Sequence, residues 1–401
     1  MTGKAGKRIL SAGGIKLDSD LSGKKLVINE ALLTAGKAVA VRASGAIENV
    51  FLPERQGRIA VTVPRTSLAD VVDTFLNSMP RAMQEATFEG SLAAEGGLNL
   101  LEGKILADGA VTLSGIGIDA PTDKISVTAI NGVLPLSLDL AGKAVVKPPS
   151  TTSFSRRNYA TLVKQLRQST EKADTITIGS GSFGGIRVDS AKIRLRAARG
   201  VTEIISLDSS LFGGALMGKG FIAVQNGIFY RGDLLLNDLS LVRICQAFPA
   251  ISGYLSGKID GIVSVQGRGS QLSGITGFTE FWARETSAEK MLVSKAFLQR
   301  LSGKKLSGFF FSSDRSYDHA GIKAVLEKGF LTFDSLDISH TNLFGVRDLS
   351  VTIAPSQNRI ALEHLLGSIK EATVRGTGAT GATGKEPPAE APPAAEFKWD
   401  E

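Results

Sequence analysis

The sequence predicts a mainly β protein, a long curled antiparallel sheet forming an open apolar groove with a few short amphipathic helices. Three observations carry this expectation. Apolar and polar residues alternate with period 2 through most of the chain, the mark of antiparallel strands with one side in water. Glycine is abundant, 45 of 401 residues, without a collagen period, as expected where many strands are joined by tight turns. Helical periodicity is confined to four short stretches.

Taken in chain order, "KLVINEALLTAGKAVAVRASGAI" alternates, pauses at Gly36 and alternates again, and "GRIAVTVP" continues the pattern. A first helix is expected over 67–79, where Leu68, Val71, Val72, Phe75 and Met79 form one stripe. Ser67 and Asp70 fit a capping box there, and Pro80 ends the run. A second is expected over 158–170, with Tyr159, Leu162, Val163 and Leu166 on its stripe. "DTITIGSG" and "GGIRVDSAKIRLRAA" return to alternation. A third helix, 238–248, spaces Leu241, Ile244, Cys245 and Phe248 at i, i+3, i+4, i+7, and a fourth, 288–301, carries Val293, Phe297 and Leu301. Each such stripe predicts packing against the sheet. In "GKIDGIVSVQGRG", Ile259, Val263 and Val265 share one face, and Lys258, Asp260, Ser264 and Gln266 share the other. "RDLSVTIAP" is the last alternating run.

The helix–proline–strand order recurs about 170 residues apart, at 67–79 and 238–248, too long a period for a solenoid unit of ~20–50 residues. The pattern implies two modules of one continuous groove, residues 1–150 and 151–375. They are followed by a disordered Pro/Ala/Gly-rich tail, 376–401.

Composition excludes several function classes. The formal net charge is +7, but the basic residues are spread along the polar strand faces. No zinc spacing or dense basic block is present, so no nucleic-acid partner is expected. A single cysteine, Cys245, precludes an intrachain disulfide and reads as a small buried apolar residue. "GSGSFGGI" matches G-x-G-x-x-G, but a strand follows it where a dinucleotide site needs a helix, so it reads as a turn. His319, His340 and His364 lack metal-ligand spacing. The expectation is that the chain is not an enzyme and has no catalytic residue, metal or cofactor.

One texture recurs: "GSFGGIRVDS", "SSLFGGALMGKG" and "TNLFGVRDLS" all place Phe before Gly. In a curled sheet, Phe supplies interior area and Gly leaves room for curvature. Phe183, Phe212, Ile259, Val263, Val265 and Phe344 are therefore the candidate groove residues, all facing one apolar side. Lys258, Asp260, Arg187 and Asp189 are expected on the wet face.

The units "LSLVRICQAFPAISGYLSGKIDGIVSVQGRG" and "EKGFLTFDSLDISHTNLFGVRDLSVTIAP" resemble the C-terminal region of the AsmA-like family of bacterial envelope proteins, the AsmA, YhdP and TamB type. The likeness covers most of residues 10–370. It implies a periplasmic β-groove that binds or conducts phospholipid between inner and outer membranes. The implied partners are phospholipid acyl chains, membrane proteins, and a membrane-anchored N-terminal part on a longer or separate chain. A purely structural β-protein, such as a solenoid passenger or adhesin stalk, is the competing expectation. An outer-membrane barrel is disfavoured by the few aromatics.

Overall fold

A computed structural model describes residues 4–5, 8–9, 13–365 and 367, apart from short interruptions at 37–38, 76–83, 102–103, 141–153, 169–170, 184–185, 199, 225–226, 249–250, 270, 287–288, 303–313 and 353–357. The protein is mainly β, 69% strand, with a large antiparallel sheet of 18 strands that is not closed into a barrel. Helices are few and short, so the mainly-β expectation holds. A two-stranded pair, β1 (Lys4–Ala5) with β2 (Arg8–Ile9), precedes the large sheet. The chain divides into two compact units. One comprises Met1–Leu211, Ala215–Leu235 and Gln266–Gly269. The other comprises Phe212–Gly214, Leu236–Val265 and Ser270–Glu401.

The first unit is a meander. Its strands are β3 (Gly13–Ser22), β4 (Lys25–Ala35), β5 (Val39–Glu48), β6 (Gln56–Ser67), β7 (Thr87–Leu101), β8 (Lys104–Ala120), β9 (Ile125–Asp139), β10 (Asp174–Phe183), β11 (Ile186–Ala198) and β12 (Val201–Leu211). Each pairs antiparallel with its sequence neighbour. Local hairpins of this kind need only short turns, which the Gly, Asn and Asp residues supply. Bulges interrupt several ladders and increase the twist. At the Glu89/Ser91 bulge, Gly90 has φ +86°, and a Cβ there would collide with the Gly115 backbone, so only glycine fits.

Two helices flank these strands. α1 (Leu68–Phe75) follows β6 and packs on β7 with Val72 buried. α2 (Tyr159–Arg167) buries Leu162. Just before it, Phe154 is 1% exposed with the Lys219 ammonium 5.2 Å from its ring centroid. β13 (Gly214–Val224) contributes the buried Met217, Phe221 and Ala223. The boundary expected near 150 falls inside this unit, because β9 and β10, on either side of it, pair directly from Gly132↔Ile176 to Ile125↔Phe183. The tail, 376–401, lies outside the described residues.

β14 (Ile228–Ser240) leads into α3 (Leu241–Ala247), whose N-cap Ser240 accepts a hydrogen bond from the Arg243 N–H. The second unit then contains β15 (Leu255–Ser256), β16 (Lys258–Arg268), β17 (Ile275–Arg284), β18 (Leu292–Val293), α4 (Lys295–Ser302), β19 (Arg315–Ser316), β20 (His319–Glu327), β21 (Phe330–Thr341), β22 (Arg347–Thr352) and β23 (Arg359–Ala361). Met291, Val293, Leu298 and Tyr317 form a buried cluster packed against Ala283, Ala320, Ile338, Leu349 and Val351. The last five lie on one side of β17, β20, β21 and β22, so one stretch of sheet is plugged by the small β15–β18–β19 sheet and α4. Burial pushes the Tyr317 phenol well above its ordinary range, and its O–H donates to the Ser256 carbonyl at 2.7 Å.

All four expected helices are present but shorter. Residues 238–240 finish β14 and residues 292–293 form β18; residues 76–79 lie outside the described residues. Helical spacing extends past the true ends because it is blind to backbone conformation: Ser240 is extended, as an N-cap must be.

The Phe-Gly pairs have a different role from the one expected. Phe212 and Gly213 are the two loop residues of the β12–β13 hairpin, with φ +47° and +75°. Positive φ at both positions is the requirement of a type I′ turn. Phe344–Gly345 lies in the β21–β22 turn, with Gly345 at φ +75°. Phe183 is the last residue of β10. Phe212–Gly213 and Phe344–Gly345 therefore mark turns, where glycine supplies the left-handed conformation, and not bends inside strands; the glycines after Phe183 lie outside the described residues. Replacing Gly213 with alanine is expected to lower stability by about 1 kcal/mol or more, because its φ is unfavourable for any residue with a Cβ and the Arg243 guanidinium lies where that Cβ would go. Thermal denaturation checks this.

Candidate functional site

The cross-strand registers of the first unit sort its residues into two faces. Residues directly opposite each other in an antiparallel pair lie on the same face. One row runs Leu17, Ala31, Ala43, Val61, Gly96, Gly109, Leu136 across seven strands. The next runs Ser19, Ile28, Gly45, Ile59, Leu98, Ala107, Leu138, and a third runs Leu21, Leu26, Ile47, Gly57, Leu100, Ile105. Every member is apolar or glycine except Ser19. The opposite face carries rows such as Lys16, Leu32, Arg42, Thr62, Glu95, Ala110, Pro135. Period-2 alternation, strand after strand, has become one continuous apolar face backed by a mixed polar one.

That apolar face is open. Ile15 is 70% exposed, Leu17 61% and Leu21 57%. On folded proteins, contiguous exposed apolar patches of more than a few hundred Å² mark interaction sites. Near its middle lies a cleft of about 180 Å³, lined by Val61, Gly96, Leu98, Gly109, Leu136 and Leu138 among others. Gly96 and Gly109 face each other across β7 and β8, and a Cβ on either would lie 2.9 Å from the other's Cα. The floor of the cleft is thus bare backbone between leucine walls. For scale, an apolar cavity of ~150 Å³ is large enough to take up benzene.

Phe183 belongs to the apolar side within the first unit. It pairs with Ile125 and Ile186 and is 63% exposed. Arg187 and Asp189 have the opposite parity, paired with Ser182 and Ser180, and bond to each other at 2.8 Å on exposed side chains.

The other candidates lie in the second unit. Ile259, Val263 and Val265 lie on one side of β16, half-buried. Gly261, on that side, sits against the Phe281 ring, and Gly277 lies opposite Val265. Phe212 and Phe344 are turn residues at strand ends, the latter 90% exposed, so they are not brought to the β16 face.

The assignment of Lys258 and Asp260 to a wet face is overturned. Asp260 is 4% exposed. Its carboxylate accepts from the Asp238 N–H at 2.8 Å and the Asn237 amide at 3.4 Å, and lies 3.3 Å from the Arg284 guanidinium. Its neighbours Ile262 and Ser264 are buried as well. A carboxylate this well supplied with donors is tolerated inside, and alternation alone cannot see those donors. Lys258 lies 3.9 Å from Glu289 with only 13% of its side chain exposed.

Nothing in the polar chemistry competes with the apolar face. Cys245 is 1% exposed and burial pushes its thiol up, which suits an inert packed residue. Among the described residues no group of His, Cys, Asp and Glu is placed to hold a metal ion. No described helix is long and apolar enough to cross a membrane. No family model, curated protein or solved structure matches the chain.

The residues of the apolar rows were hidden from single-strand reading. Each strand's alternation was visible, but which positions lie opposite one another depends on register and bulges.

Proposed function

We propose that this protein is a β-groove carrier that binds or conducts phospholipid, holding the acyl chains against the apolar face of its first unit. The observation that carries this reading is the apolar character of three cross-strand rows, broken only by Ser19, with Leu17, Leu21 and Leu136 among their members exposed to solvent. Acyl chains offer no hydrogen-bonding groups, and the face asks for none. Each buried methylene contributes about 0.8 kcal/mol, so a chain of ordinary length is held without a polar contact. A periplasmic site of action between inner and outer membranes, and a membrane-anchored N-terminal part or partner proteins, are proposed on the resemblance to the AsmA-like envelope family. A purely structural role, the competing expectation, leaves such a face without an occupant.

Native mass spectrometry of the purified chain tests the proposal. The expected result is a series of mass additions matching phospholipids, removed by detergent and restored by incubation with lipid. A clean apo mass that stays unchanged on incubation would refute it.

A further inference from the structure

The strand ends at one edge of the first unit carry a second pattern. The β3–β4 and β5–β6 turns, the facing ends of β7 and β8 and the end of β9 lie side by side. Ile47 pairs with Gly57, Gly57 with Leu100, and Leu100 with Ile105. The Val50 N–H donates to the Lys24 carbonyl at 3.0 Å, and the Leu140 N–H donates to the Ile105 carbonyl at 2.8 Å. From β4 to β9 this edge spans roughly 24 Å, taking about 4.8 Å per strand. Its tips are apolar: Phe51 is 70% exposed, Leu140 56%, Leu101 51% and Leu52 36%. Singly such residues need no explanation. Here they fall in a line and alternate with exposed cations, Lys24, Arg55 and Lys104. None of these three makes an ion pair among the described residues, whereas the neighbouring Lys25 is paired with Glu48 at 2.8 Å; Glu54 stands beside Arg55.

We propose that this row of turns is a bilayer-docking edge that seats on anionic lipid headgroups. Phe51, Leu52 and Leu101 enter the interface, and Lys24, Arg55 and Lys104 meet the phosphates. Apolar tips with a cationic rim are what an anionic membrane surface rewards, through apolar burial and through attraction of each cation near the surface. The paired strand ends hold these residues in register, so little ordering is lost on binding. The inference does not depend on whether the apolar face itself carries lipid.

Vesicle flotation of the full chain tests it, using phosphatidylglycerol–phosphatidylcholine vesicles and pure phosphatidylcholine vesicles. The wild type is expected to float with the anionic vesicles and to detach as salt rises. Combining Lys24→Gln, Arg55→Gln and Lys104→Gln should weaken anionic binding about a hundredfold. Combining Phe51→Ser, Leu52→Ser and Leu101→Ser should weaken it at least tenfold, by roughly the apolar burial removed. Circular dichroism verifies that each variant keeps its β signal; any variant that loses it is replaced by its single substitutions. A wild type that floats with neither vesicle overturns the proposal and leaves a protein partner for this edge. So does either variant set binding as the wild type does.

Discussion

Val61→Asp and Leu136→Glu, introduced into the cleft of the first unit, are expected to abolish phospholipid loading while leaving the β-structure in place. Both residues lie on the row that includes Gly96 and Gly109. In the empty protein that face is open, so the new carboxylates stay hydrated and folding is little affected. An acyl chain laid over them would strip that water, at a cost of several kcal/mol per ion, or a loss of more than about a hundredfold in lipid retention. Thr62→Asp, one position along the same strand but on the polar face, should change nothing. Native mass spectrometry and far-UV circular dichroism read the two effects separately. Equal lipid loading in all three variants would sink the groove proposal. Val265 is a poorer probe, since it packs directly against Gly277 on the neighbouring strand and a carboxylate there would compromise packing as well.

Glu289→Ala is expected to lower the stability of the second unit more than any surface substitution. One carboxylate oxygen of Glu289 accepts from the Gly257 N–H at 3.0 Å, the Ser240 hydroxyl at 3.2 Å and the Val242 N–H at 3.4 Å. The second oxygen lies 3.9 Å from the Lys258 ammonium. This one side chain ties the start of α3 to the start of β16. Alanine leaves two backbone donors without their acceptor and removes the counter-charge of a mostly covered ammonium, which keeps only the Asp238 carbonyl at 3.3 Å, costing about 3 kcal/mol. For a unit of this size that corresponds to roughly 6–12 °C in melting temperature. Glu289→Gln keeps one acceptor oxygen and should recover part of the loss. A melting temperature unchanged by the alanine substitution would show that water replaces the carboxylate at no cost.

The two predictions draw on different kinds of information. The two-faced character of each strand follows from alternation in "KLVINEALLTAGKAVAVRASGAI" and "GRIAVTVP", legible before any coordinates, while the rows that join them follow from register. The Glu289 network does not. Glu289 stands in a stretch expected to open a helix, and its partners are 32 to 49 residues distant in the chain. No local pattern announces a hydrogen bond across such a separation. Phe212 shows a third case, in which the signal was present and misread. In a curled sheet Phe supplies interior area and Gly room for curvature, yet positive φ at both residues makes Phe212–Gly213 a hairpin turn.

The mainly-β class, most of the alternating strands and the approximate places of four helices were legible in the residues alone. Period-2 and period-3.6 patterns are local consequences of backbone geometry, so the kind of element in each stretch follows from them. The amphipathic character of each strand was determined as well, since successive side chains point to opposite faces. The tertiary structure alone decided which positions meet. Bulges at Gly90, Gly115 and Ser190 shift the registers, and each one-residue shift exchanges the faces of everything beyond it. It also decided that Asp260 is buried and Ile15 exposed, the reverse of what their chemistry suggests. Burial depends on what packs over a face. For Asp260, donors from neighbouring segments make an interior carboxylate tolerable; for Ile15, the apolar face is left open.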